Sequence, residues 1–126
     1  ILTNIVSFVT PQMHVTRRKA VTDCVHSLAN GSAATVTSIG RGIQSNAFEK
    51  HNIKRADRLL SNAHLLREQR VVYGAICRLF CTAKHPIISI DWSDLDEAGR
   101  HFLLRAVLTF DGRPITLYQE VHPLNN

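Results

Sequence analysis

No stretch of this 126-residue chain is both long and apolar enough to suggest a membrane span. The uncharged opening, Ile1 to Thr16, is interrupted by polar residues, Pro11 and His14, and no basic flank precedes it as in a signal peptide. Cysteine is scarce. Three residues, Cys24, Cys77 and Cys81, are an odd count for a secreted disulfide framework and lie in apolar stretches, so a reduced, intracellular protein is expected. Internal repeats and low-complexity segments are absent. At 44% apolar and 20% charged the composition is neither disordered nor membrane-like, and the length suits one domain or two small ones with a real core. The chain opens at Ile1 without a methionine and stops at Asn126 just after strand-like sequence, so a piece of a longer protein is expected.

Charge is unevenly spread. Residues 1–84 carry 12 Lys and Arg against 4 Asp and Glu, a balance of +8; residues 85–126 carry 3 against 6, a balance of −3. A basic part suited to a polyanion thus precedes an acidic part able to grip a cation.

The apolar pattern divides the chain the same way. Residues 1–12 read as an apolar lead-in ended by Pro11. Val21, Cys24, Val25 and Leu28 predict a helix over 16–29, with Thr16 as N-cap and Gly31 beyond its end. Residues 35–43 fit two short turns with a bend at Gly42. Asn46 and Glu49 resemble a capping box opening a helix to Leu60, with Ile53, Ala56 and Leu60 inward. From about Leu65 to Cys81 a further helix buries Leu66, Tyr73, Ile76, Cys77 and Phe80. After Pro86 the period changes: Ile87 to Trp92 reads as a strand, Ser93 to Gly99 as a loop, and 102–110 and 115–121 as a hairpin around Asp111-Gly112. Left uncovered, Leu103, Leu108, Ile115 and Leu117 of that hairpin would form an exposed apolar edge.

Two places can carry chemistry. A short helix, a bend and a basic second helix over 35–60 describe a helix-turn-helix-like bundle. Asn52 and Arg55 would then face base edges, and Lys50, Lys54 and Arg58 phosphates, with His51 on the same helix. Gly40-Arg41-Gly42 would let backbone and Arg41 approach phosphate. The bland counterpart is a solvated basic helix face. The second place is Asp91, with Asp94, Asp96 and Glu97 nearby. A carboxylate ending a buried strand is costly unless it is paired or holds a cation such as Mg²⁺, although an aspartate capping the following turn is also frequent. Cys77 and Cys81 share a helical face with Phe80 and read as core, and Trp92 as a core or domain-junction residue.

The runs Lys50-His51-Asn52-Ile53-Lys54-Arg55, Asp57-Arg58-Leu59-Leu60, Asn62 and Ile90-Asp91-Trp92-Ser93-Asp94 resemble the amino-terminal part of bacterial insertion-sequence DDE transposases of the cut-and-paste type. Arg113, Thr116-Leu117-Tyr118 and Pro123-Leu124 extend the likeness over roughly residues 11–124. The resemblance implies an α+β chain: a helical DNA-binding domain over 1–84, then over 85–126 the first three antiparallel strands of an RNase H-like catalytic domain. It implies double-stranded transposon ends as the partner, with Arg41, Lys50, His51, Asn52, Lys54, Arg55 and Arg58 at the DNA. A homodimer in the synaptic complex and a bacterial cytoplasmic, nucleoid-associated setting follow from it. Asp91 becomes the first catalytic, metal-holding aspartate of an enzyme using Mg²⁺ or Mn²⁺ for cleavage and strand transfer.

The family also needs a second Asp and a Glu, expected downstream, so this segment alone is expected to be inactive and to hold no metal tightly. A second reading is a non-catalytic DNA-binding protein, such as a truncated element product acting as repressor or competitor. A third is an α+β domain whose basic face binds nothing.

Overall fold

The structure, a computed structural model, describes residues 1–124. They are α+β: α1 (Leu2–Val9), α2 (Val15–Ala29), α3 (Val36–Gly42), α4 (Glu49–Leu60), α5 (Ala63–Arg67) and α6 (Gln69–Phe80), then strands β1 (Ile88–Asp94), β2 (His101–Phe110) and β3 (Arg113–Pro123). None of these helices is long and apolar enough to cross a membrane. The chain forms two compact units, Ile1–Val72 and Tyr73–Asn126, so the division falls inside α6 rather than at the 84/85 change of charge.

In the first unit, the expected lead-in is a helix. α1 buries Val6, and Thr10 at its end is also buried, its hydroxyl donating to the Val6 carbonyl at 2.7 Å. Arg18 closes this end of the helix. Its Nη2 donates to the carbonyls of Thr10 (2.7 Å), Met13 (3.2 Å) and Pro11 (3.3 Å), so one residue of the basic excess serves as a structural clasp.

Helix α2 starts one residue early, with His14 rather than Thr16 as N-cap: His14 Nδ1 accepts from Thr16 N at 3.3 Å. At the other end Gly31 follows the C-cap Asn30 with φ 100°. Ala20 and Cys24 of α2 pack with Ile39, Ile43, Ala56 and Leu59 as the core of α2, α3 and α4. Burial pushes the Cys24 thiol up from its ordinary pKa, which keeps it protonated and inert.

The glycines around Arg41 are packing residues, not openings to phosphate. A Cβ on Gly40 would lie 2.4 Å from Ile53 Cα, and one on Gly42 would lie 2.2 Å from Ser27 Oγ. Gly40 therefore sets how closely α3 approaches α4.

The capping box does not form. α4 begins at Glu49 behind Phe48, which makes no side-chain cap, and the Glu49 carboxylate turns to Arg41. The buried face of α4 is Asn52, Ala56 and Leu59; Leu60, expected inside, is exposed. The expected helix over 65–81 is broken at Glu68 into α5 and α6, and Glu68 pairs with Arg17 of α2. The break leaves Leu66 exposed while Leu65 packs on the core.

In the second unit the sheet order is β1-β2-β3, antiparallel throughout. Asp111 (φ 49°) and Gly112 (φ 71°) make the β2–β3 turn, and two successive positive φ values are what a type I′ hairpin requires. A bulge at Ala106/Val107 lets consecutive residues Leu117 and Tyr118 both reach α6. Cys77 Sγ lies 3.7 Å from the Leu117 carbonyl, Tyr73 meets Tyr118 edge-on at 5.3 Å, and Phe80 meets Phe110 at 5.7 Å. Leu108 and Leu117 are buried as a result, so the exposed apolar edge expected of the hairpin is not there. The exposed apolar residues of the sheet are Ile88, Ile90 and Trp92 on β1, with Phe110 at the end of β2 and Val121 on β3.

Candidate nucleic-acid interface

On α4, Lys50, Lys54 and Arg58 follow one another at i, i+4 and i+8, which places them in a row along one face, about 6 Å apart per step. All three are exposed, as is His51 beside them, and none has an ion-pair partner among the described residues. The opposite face is anchored in the core through Ala56 and Leu59. Asp57, also exposed, borders the row and subtracts one charge from it.

Three other expected DNA contacts are placed differently. Asn52 does not project to solvent: it is 5% exposed, accepts at Oδ1 from Ser45 Oγ (2.9 Å) and donates from Nδ2 to the Ile43 carbonyl (3.4 Å). The α3–α4 connection, residues 43–48, is longer than the about three to four residues of a helix-turn-helix turn, and the Asn52 amide ties it down from inside. Arg55 is half-buried and held by Asp23 of α2 at 2.6 Å. Arg41 is exposed but paired with Glu49 at 3.0 Å. Of the Lys and Arg residues expected at the DNA, the row Lys50, Lys54, Arg58 is exposed without an ion-pair partner among the described residues.

Sequence reasoning missed a cleft that this row runs into. It measures about 220 Å³ and lies between the start of α2 and the end of α4. His14, Thr16 and Arg17 line it from α2, Arg58 and Asn62 from the end of α4 and just beyond, with Ala20 and Leu59 as apolar lining. No sequence signal joins these residues, because their proximity comes from packing two helices that are distant along the chain.

Asp91 occupies the middle of β1, not its end, because the strand continues through Ser93 to Asp94. Asp94 is therefore a strand residue on the face opposite Asp91, not part of the following loop. The Asp91 carboxylate is largely exposed. Its cross-strand neighbour is Arg105, with Nη2 4.0 Å from Oδ2. Arg105 Nε is buried without a hydrogen-bond partner among the described residues.

Asp96 is engaged elsewhere: it accepts from the Arg100 amide at 2.8 Å and pairs with His101 Nδ1 at 2.7 Å. The His101 hydrogen bond, then that of the Arg100 amide, holds the Asp96 carboxyl below the usual carboxylate range. Among the described residues no group of three His, Cys, Asp or Glu converges as a metal site. A lone exposed carboxylate facing a guanidinium does not hold a divalent cation, so no metal-dependent step is derived from these residues. Trp92 is not a core residue. It is 53% exposed, stacked on Phe102 (5.9 Å) and near His122 (5.3 Å) on the sheet face. No protein-family model, no curated protein and no solved structure matches this chain.

Proposed function

We propose that this chain binds duplex DNA through the row Lys50, Lys54 and Arg58 of α4, as the amino-terminal segment of an insertion-sequence DDE transposase. The observation that carries the reading is this row of unpaired cations on a helix fixed from behind by Ala56 and Leu59. Such a face neutralises phosphates, and phosphate contacts supply most of the affinity and position the protein without reading sequence. With Asn52 buried and Arg55 held by Asp23, base reading through these two residues is not part of the proposal. His51, exposed beside the row, is a further side chain able to meet a base edge.

The antiparallel order β1-β2-β3, with Asp91 on the first strand, agrees with the opening of an RNase H-like sheet. On that reading Asp91 is the first of three acidic residues of a complete enzyme working on transposon ends in the bacterial nucleoid, the others lying outside this sequence. A gel shift comparing duplexes that carry insertion-sequence terminal repeats with random duplexes tests the binding half. Preference for the repeats supports the transposase reading, equal binding supports DNA binding alone, and no binding refutes both. In the complete enzyme Asp91→Asn should abolish cleavage and leave binding intact; normal cleavage would remove Asp91 from the catalytic set.

A second reading, a non-catalytic DNA-binding protein, is favoured by one observation. The charged partner of Asp91 is Arg105, and among the described residues no three His, Cys, Asp or Glu side chains converge as a metal site.

A further inference from the structure

The cleft at the foot of α2 is built like an anion seat, and we infer that it takes one backbone phosphate of the duplex, held between Arg58 and the first turn of α2. The inference rests on the reading of α4 as the duplex-binding face.

Four features converge there. Arg58 ends the row Lys50, Lys54, Arg58 and also lines the cleft, so a strand following the row arrives at it. Arg58 has no ion-pair partner among the described residues, whereas the charge of Arg17 is already met by Glu68. His14 Nδ1 accepts the hydrogen bond of Thr16 N, so the proton of the neutral ring sits on Nε2, and His14 offers a donor rather than an acceptor. The first turn of α2 contains no acidic residue, and its first backbone bond to a carbonyl is Arg18 N to His14 at 2.9 Å. The amide of Arg17, which lines the cleft, comes before it and is left for a ligand.

A guanidinium fork, an imidazole N–H, the Thr16 hydroxyl and the Arg17 amide together match the several acceptor oxygens of a phosphodiester. The nearby carboxylates do not cancel this. Glu68 is taken by Arg17, and Asp57 is not among the lining residues.

The test is a ¹⁵N NMR titration of the full chain with a 20-base-pair random-sequence DNA duplex, and separately with sodium phosphate at equal phosphate concentration. The duplex should shift the Val15, Thr16 and Arg17 amides together with those of Lys50 and Lys54. Arg58→Gln should erase the shifts at 15–17, keep those at 50 and 54, and flatten the slope of log affinity against log salt by about 0.9. Shifts at 50 and 54 without any at 15–17 would overturn the cleft assignment and leave the α4 reading standing. Shifts at neither place would refute the α4 reading and the cleft with it. Inorganic phosphate acting as strongly as the duplex would make the cleft a free-anion site and overturn its assignment to the DNA strand.

Discussion

Replacing Asn52 by alanine separates a structural amide from a base-reading one. In the folded chain the side chain is 5% exposed and bridges the α3–α4 connection, accepting from Ser45 Oγ at 2.9 Å and donating to the Ile43 carbonyl at 3.4 Å. The Ser45 bond is of ordinary length and contributes about 1 kcal/mol net; the longer one contributes less. Truncation also leaves the Ile43 carbonyl short of a partner and opens a small void beside Ile43, itself 6% exposed. The total is about 1–3 kcal/mol, which for a unit of this size lowers the melting temperature by roughly 4–24 °C. Thermal and urea unfolding followed by circular dichroism measure it. At a temperature where the variant is folded, its preference between duplex sequences should equal that of the unchanged chain. A variant that melts normally but discriminates about 1–3 kcal/mol less between sequences would refute the buried placement and restore Asn52 to the base edge.

Three further outcomes are expected. Gly40→Ala forces a Cβ to within 2.4 Å of Ile53 Cα, a backbone atom that cannot yield, so it should destabilise the first unit by more than about 2 kcal/mol, measured by urea unfolding; near-normal stability would deny the close α3–α4 approach. Asp23→Asn releases Arg55 from its ion pair, so duplex affinity should rise and its salt slope steepen by up to about 0.9 in fluorescence anisotropy, whereas an unchanged slope would mean that Arg55 does not reach phosphate even when free. The folded pKa of Asp96 is depressed, so its contribution to stability is present above the unfolded carboxylate value of about 3.9 and lost as pH falls through the folded one. Asp96→Asn should therefore weaken the protein at neutral pH and cost progressively less below about pH 4; a loss that stays constant down to strongly acid pH would contradict this.

What could be read from the sequence was whatever short-range chemistry decides. Asp111-Gly112 makes its hairpin because both residues accept positive φ, and the helical period at 21, 24, 25 and 28 needs no distant partner to show itself. What could not be read depends on tertiary partners. Arg18, Arg55 and Arg17 look like surface cations in the sequence, yet α1 carbonyls, Asp23 and Glu68 engage them. Likewise Asn52 and Gly40 belong to the α3–α4 contact, and a basic run around them reads as an exposed face until that contact is known. The strand position of Asp91 is legible, but its neighbour Arg105 comes from the register of β1 on β2, which only the folded sheet fixes.

The central claim, that the α4 row meets duplex phosphates, is tested most directly by the salt dependence of duplex affinity for the unchanged chain and for a Lys50→Ala, Lys54→Ala, Arg58→Ala triple variant. All three side chains are exposed, so the variant should fold normally by circular dichroism. The account predicts that the slope of log affinity against log salt falls by about 2.7 on losing three phosphate contacts, with affinity at low salt dropping sharply. A triple variant that binds with the same affinity and the same slope, or an unchanged chain that does not bind duplex DNA even at low salt, would contradict it.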